Sequence, residues 1–280
     1  MTYLEFTQLL DKNAEAIKAK CTEGVCDYDM FIKETKYWIK QNLEVLECTE
    51  ASLLGSIMYL SEFGLPPFTP EGYSYILSEK VGRKTNAIPF IGYRGIIELA
   101  YLNPKVNEIG MDSVYQHDVF ESYVDFTEGR KGVVFKHQKT FSEMKANGVE
   151  YKDAGKLMKV YSFAVIEGIN PVFTIVDIAD LKKIEKNSRL AKKEKVSSNS
   201  IDFFNIMQSK VCIKLMFKTL PKKDNRLLCK ALDYDNLIEY SKNIVVESVG
   251  NDYELVDTVK RQSSALQEVL LEKIELKIKE

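Results

Sequence analysis

With 280 residues, 45% of them hydrophobic and 29% charged, the chain can bury one sizeable core and is too apolar to remain disordered. No run approaches the ~20 apolar residues that span a bilayer, and Met1–Asp11 lacks the basic start and apolar stretch of a signal peptide, so a cytoplasmic protein with no membrane partner is expected. The net charge of −2 excludes a uniformly basic polyanion binder, but it averages an uneven distribution: residues 180–223 carry 12 basic and 4 acidic groups, while residues 1–51 and 224–280 each carry a net −4.

The first fifty residues read as helices. Phe31, Thr35, Trp38 and Ile39 recur at helical spacing over Asp29–Asn42. A second helix is predicted over Ala51–Phe63, with Leu53, Leu54, Ile57, Met58 and Leu60 as its apolar surface. Gly64-Leu65-Pro66-Pro67 stops it: glycine takes the left-handed position, leucine makes a cap contact, and proline forbids continuation. Tyr73–Leu77 and Asn86–Ile91 read as the strands of a hairpin joined by the polar link Ser78–Thr85. Gly92 opens a short helix, Tyr93–Leu102, which Asn103-Pro104 stops.

Strands are then expected at Glu108–Tyr115, Val119–Phe126, Val133–Gln138, Lys159–Ile166 and Val172–Val176, with turn signals at Glu128–Gly132 and Gly168–Pro171. Met144–Met158 reads as an exposed excursion. A helix at Ile178–Lys186, a basic serine-rich stretch at Ser188–Ser200 and a long helix at Ile201–Leu220 follow. Residues 222–280 read as a polar tail with helical periodicity in Ala265–Ile278. Helices, then antiparallel strands, then helices imply an α+β fold, a small antiparallel sheet packed with helices. Three regions are expected: 1–51 helical, 52–221 the core, 222–280 the tail.

Three features carry candidate chemistry. In Ile201–Leu220, Lys210, Lys214 and Lys218 share one stripe, which Phe203 and Met207 continue, on a helix otherwise apolar towards its C-terminus. Such a row suits phosphates along a groove, or equally a solvated face or ion pairs with acids from elsewhere in the chain. At Ile91-Gly92-Tyr93-Arg94-Gly95, a strand turns into a helix. The glycines allow close backbone approach, Arg94 lies where an anion docking on the helix start would favour it, and Tyr93 could stack on a base. The alternative is a plain turn with a packed tyrosine and an exposed arginine. The third feature is the basic run Lys182, Lys183, Lys186, Arg189, Lys192, Lys193 and Lys195, to which the hairpin tip adds Arg83 and Lys84.

Other chemistries are poorly represented. No glycine-rich loop ends in Gly-Lys-Ser or Gly-Lys-Thr, so there is no P-loop for a nucleotide, and no cofactor is expected. Cys21, Cys26, Cys48, Cys212 and Cys229 are odd in number and scattered, which reads as free thiols; the first three fit no familiar zinc spacing, and His117 and His137 are distant in sequence. Tyr115-Gln116-His117-Asp118 could suggest acid–base work but has no nucleophile beside it and reads better as a strand end.

Taken in order, several stretches resemble the RecT family of phage single-strand annealing proteins. They are Ser52-Leu53-Leu54 with Phe63-Gly64-Leu65, Tyr73–Leu77, Ile91-Gly92-Tyr93-Arg94-Gly95 through Ala100, Val114-Tyr115 with Asp118–Glu121, Tyr161–Val165, and Met207 through Lys210, Lys214 and Lys218 to Pro221. The resemblance covers about Ser52–Pro221. It implies a core similar to the eukaryotic strand-annealing recombinases and ATP-independent annealing by a homo-oligomeric ring or filament. Single-stranded DNA and the annealed duplex intermediate would lie in a basic groove. It further implies a phage exonuclease and a host single-strand binding protein as partners, a bacterial host cell, oligomer contacts in 1–51 and partner recruitment by 222–280. Relatives can carry a second arginine where Leu215 stands, and they are more polar where this chain reads Pro66-Pro67-Phe68. Two other readings compete with this non-enzymatic one: a metal-dependent nuclease using Asp112, Asp118 and Glu121, and a structural oligomer whose basic segment binds a protein.

Overall fold

The computed structural model describes residues 1–67, 72–125, 132–139, 155–187, 211–220, 225–240, 244–249 and 252–257. They form two compact units: Met1–Glu98 with Asp233–Glu280, and Leu99–Leu232.

The first unit opens with helices α1 (Tyr3–Lys12), α2 (Ala14–Lys20) and α3 (Tyr28–Gln41) and a 3-10 turn at Leu43–Glu47. Thr2 starts α1 with a capping box: its hydroxyl accepts from Glu5 N at 3.2 Å, and the Glu5 carboxylate accepts from Thr2 N at 2.7 Å. On α3 the residues expected to face inward, Phe31, Thr35, Trp38 and Ile39, are all buried. Helix α4 (Glu50–Glu62) is buried along most of its length. It ends as its sequence requires. Gly64, at φ 62°, donates to Ser61 O, and Leu65 donates to Leu60 O, which is the paired-bond terminus that glycine permits.

Strands β1 (Ser74–Val81) and β2 (Lys84–Ile91) form an antiparallel hairpin. The expected eight-residue link is in fact two residues, Gly82-Arg83, because the ladder continues through Lys80 opposite Thr85 and Val81 opposite Lys84. Exposed strand residues have the composition of a loop, and here the hydrogen bonds decide. Helix α4 docks on β2 through small side chains: Ser52 Oγ accepts from Ala87 N at 2.9 Å, and Ser56 Oγ donates to Ala87 O at 3.1 Å. These hydroxyls satisfy buried backbone groups that no strand pairs.

Helix α5 (Tyr93–Tyr101) crosses into the second unit. There, β3 (Val106–Tyr115), β6 (Leu157–Ile166) and β7 (Val172–Asp177) make a three-stranded antiparallel sheet in the order β3-β6-β7. Strands β4 (Val119–Asp125) and β5 (Gly132–Gln138) pair as a separate hairpin. Helix α6 (Ile178–Asn187) follows β7, and helix α7 covers residues 211–219. On β6, Val160, Ser162 and Ala164 are fully buried on one face, where Val160, Leu181 and Cys212 form a core cluster. The antiparallel pairing of every described strand confirms the α+β class.

The stretch after Pro221, expected as a polar tail, contains helix α8 (Arg226–Tyr240) and an antiparallel hairpin, β8 (Ile244–Val249) and β9 (Asp252–Asp257). Leu228, Ala231, Leu232, Tyr234 and Asp235 of α8 are buried. Tyr234 stacks on Tyr59 of α4 with ring centroids 3.9 Å apart and 20° between planes, and the hairpin packs on α4 and β2. The buried apolar residues of α8 recur at helical spacing. The periodic stretch Ala265–Ile278, the basic stretch Ser188–Ser200, the turn at Glu128–Lys131 and most of the excursion at Met144–Met158 lie outside the described residues. Leu157 and Met158 begin β6.

Candidate nucleic-acid interface

The strand-to-helix turn Ile91–Gly95 is shaped by its own packing. Gly92 N donates to Tyr73 O at 2.8 Å. A Cβ on Gly92 would lie 2.4 Å from Gly72 O, and one on Gly95 would lie 2.3 Å from Tyr73 O. Both glycines are therefore required by a close backbone approach, but the backbone they admit is the protein's own. The Arg94 side chain is exposed and turns back on Tyr93, its Nε donating to the Tyr93 hydroxyl at 3.3 Å and its guanidinium 6.0 Å from the ring centre. That hydrogen bond raises the Arg94 pKa further. Tyr73 donates to Glu98 Oε1 at 3.3 Å, and Tyr73, Arg94, Ile97 and Glu98 line an open recess of about 190 Å³. A guanidinium and an aromatic ring held together can meet a phosphate and a base.

Helix α7 has two unlike faces. Cys212, Ile213, Met216 and Phe217 are fully buried within an arc of about 140° at 100° per residue. The Cys212 thiol donates to Thr174 O at 3.3 Å, and Ser162 Oγ donates to Cys212 O at 3.1 Å, fixing the helix on β6 and β7. Burial pushes the Cys212 thiol up to about 11. Lys214 (half-buried) and Lys218 (exposed) fall on the opposite arc, with Val211 and Leu215 half-buried beside them. The helix is not apolar all round; its two described lysines share its outward face.

Of the remaining candidates, Arg83 and Lys84 are exposed at the β1–β2 tip, next to exposed Lys80. Lys182 is exposed on α6, which also carries Lys183. Arg189, Lys192, Lys193, Phe203 and Lys210 lie outside the described residues. The structure thus brings together Tyr93 with Arg94, Arg83 with Lys84, and Lys214 with Lys218. The first two pairs belong to the first unit and the third to the second.

The sequence reading missed a buried polar chain in the second unit. Asp118 pairs with His137, not with its neighbour His117: His137 Nε2 lies 3.2 Å from Asp118 Oδ2, and His137 Nδ1 lies 3.0 Å from the Tyr161 hydroxyl. The His137 and Asp118 side chains are 4% and 1% exposed, so both are shielded from solvent. Tyr115 N also donates to Asp118 Oδ2, at 2.8 Å. With Asp118 accepting, Nε2 is the donor and Nδ1 accepts from Tyr161. Burial first, and then the carboxylates of Asp112 and Asp118, push the Tyr161 hydroxyl up to about 12. The chain fastens the β4–β5 hairpin to β6. It also bears on the nuclease reading: Asp118 is engaged here, Asp112 pairs with Lys139 at 2.6 Å, and Glu121 is exposed. Among the described residues, no three His, Cys, Asp or Glu side chains are grouped to hold a metal ion.

A family model described as the RecT family matches residues 29–247, most of the chain. The chain belongs to the RecT family. Membership implies a single-strand annealing recombinase role and binding of single-stranded DNA, and RecT annealing proteins are generally non-catalytic. The match takes in α3 to α8 and enters β8, so the docked helix after Pro221 belongs to the family's common extent. No curated protein sequence matches the chain. No helix among the described residues is long and apolar enough to cross a membrane.

Proposed function

We propose that this RecT protein binds single-stranded DNA on basic, partly aromatic surfaces and pairs complementary strands without a nucleotide cofactor. The observation that carries the reading is the outward face of α7, where Lys214 and Lys218 stand inside the net-basic segment 180–223 of a RecT chain. Annealing needs no covalent step. Two phosphate backbones repel each other, and self-structure hides their bases. Ammonium groups on a rigid helix offset the repulsion by displacing counterions, and a strand held extended offers its bases for pairing. Lys210, Lys182, Lys183, Arg189, Lys192 and Lys193 extend the basic surface in sequence, with Phe203 as a stacking group. Arg83, Lys84, Tyr93 and Arg94 supply a second contact region.

Residues 1–51 make the contacts of a homo-oligomeric ring or filament. The end of the chain recruits an exonuclease and the host single-strand binding protein in the bacterial cytoplasm. The test is annealing of complementary labelled oligonucleotides with and without ATP, with strand length checked afterwards. Acceleration without ATP, leaving intact strands, is expected. A strict ATP requirement, or strand loss on adding Mg²⁺, would sink the reading, the latter in favour of a nuclease.

A further inference from the structure

The loop between α2 and α3 holds two cysteine thiols side by side. Cys26 Sγ donates to Cys21 Sγ at 3.0 Å, and both residues are partly exposed. The loop is anchored on the C-terminal end of α4. Thr22 Oγ donates to Glu62 O at 2.7 Å, satisfying a carbonyl that the helix leaves unpaired. Val25 O lies only 2.5 Å from where a Cβ on Gly64 would stand, so the loop presses directly on the α4 terminus. Val25 N and Cys26 N both donate to Thr22 O at 3.0 Å, turning the chain back so that the thiols meet.

We propose that Cys21 and Cys26 are a dithiol modification site that closes to a disulfide by exchange with a small-molecule disulfide, stapling this loop over the end of α4. The donated S–H bond assigns the roles. Cys21, the acceptor, is the attacking sulfur. Cys26 keeps its proton, its thiol pushed up to about 12 by burial first and by Cys21 second. With oxidised glutathione, the Cys21 thiolate attacks one sulfur, forms a mixed disulfide and releases a glutathione thiolate. That thiolate takes the Cys26 proton. Cys26 then attacks Cys21 Sγ, the mixed disulfide breaks, and a second glutathione thiolate leaves and is protonated. Two protein thiols become one disulfide, and one oxidised glutathione becomes two reduced ones. Both cysteines precede residue 29, where the family match begins, so the site lies outside the matched RecT region.

The experiment treats the full-length protein with oxidised glutathione, blocks remaining thiols with an alkylating agent, and maps peptides. Cleavage after Lys20 and Lys33 releases both cysteines in one peptide. That peptide should be two hydrogens lighter and carry neither glutathione nor alkyl groups. Cys26→Ser should trap glutathione on Cys21, whereas Cys21→Ser should leave Cys26 mostly alkylated. The oxidised wild type should melt roughly 2–6 °C above the reduced form, because a six-residue ring restricts the unfolded chain. Separate adducts on both cysteines, full alkylation after oxidation, or an oxidised form that melts no higher would overturn the proposal. Cys229, also partly exposed, is the internal control and should show at most an adduct.

Discussion

Replacing both Lys214 and Lys218 by alanine tests the DNA-facing role of α7 directly. The buried arc of the helix, Cys212, Ile213, Met216 and Phe217, is untouched, so the melting temperature should stay within a degree or two of wild type. Each phosphate contact to a single strand contributes about 0.7RT ln(1/[salt]) through counterion release, which at 0.15 M is about 0.8 kcal/mol, or fourfold in affinity. Losing two contacts should weaken binding roughly 15-fold. It should also make the plot of log affinity against log salt shallower by about 1.4. Fluorescence anisotropy of a labelled oligothymidine, measured from about 0.05 to 0.5 M salt, reads both quantities. Reversal, Lys214→Glu, should weaken binding further by adding repulsion. A folded double variant with an unchanged salt slope would show that this face does not meet phosphate, whatever the protein does with DNA elsewhere. A variant that unfolds would instead show the lysines to be partners of protein acids.

Gly95→Ala should destabilise the first unit by about 3 kcal/mol in denaturant melts: a helical glycine-to-alanine change usually gains up to ~1 kcal/mol, but here the new methyl meets Tyr73 O at 2.3 Å, with Ile91 and Leu65 behind it. Wild-type stability in this variant would mean that the turn is not packed as described. Because Tyr161 has its pKa raised in the fold, it contributes stability that is present below pH 10 and lost as pH rises towards about 12, so Tyr161→Phe should show a shallower alkaline loss of stability by near-ultraviolet melting. A chain ended after Lys223 should lose its cooperative thermal transition, since it lacks α8, the β8–β9 hairpin and the Tyr234–Tyr59 stack; a melt equal to that of the full protein would separate this region from the core.

Helix α4 was legible because every signal for it is local: an apolar face, then glycine and leucine placed to close the paired terminal bonds, then proline. The β1–β2 hairpin was legible as a hairpin but not in its length, since Ser78, Glu79, Lys80 and Thr85 look alike in an exposed strand and in a loop. The docked region after Pro221 was hidden for a different reason. Leu228, Ala231, Leu232 and Tyr234 carry the helical spacing, and Val249-Gly250-Asn251-Asp252 is a two-residue hairpin signal, but acids surround both. What packs on Tyr234 is Tyr59 of α4 and Ile88 and Phe90 of β2, more than a hundred positions earlier in the chain, and no local window contains those partners.

The candidate site divides along the same line. The lysines of α7 could be placed by periodicity alone, because 100° per residue separates Lys214 and Lys218 from the residues that bury. The glycines at 92 and 95 could be recognised as demanding close approach, but not as to what approaches. That required Gly72 and Tyr73, about twenty residues away, and the answer is backbone, which makes the motif a packing requirement first. Asp118 carried the same ambiguity. Its neighbour in sequence is a histidine, and its partner in space is a different one, reached only because β4 and β5 pair in a register that sets His137 across from Phe120 and returns the ring towards Asp118. A buried Asp–His–Tyr chain has the composition of a catalytic device. At 4% and 1% side-chain exposure, it instead holds a hairpin to a sheet. If the reaction is annealing, as proposed above, it makes and breaks no covalent bond and leaves the residues with the most reactive side chains to serve the fold, and the DNA contacts we assign to the α7 lysines require only charge, spacing and a rigid helix beneath them.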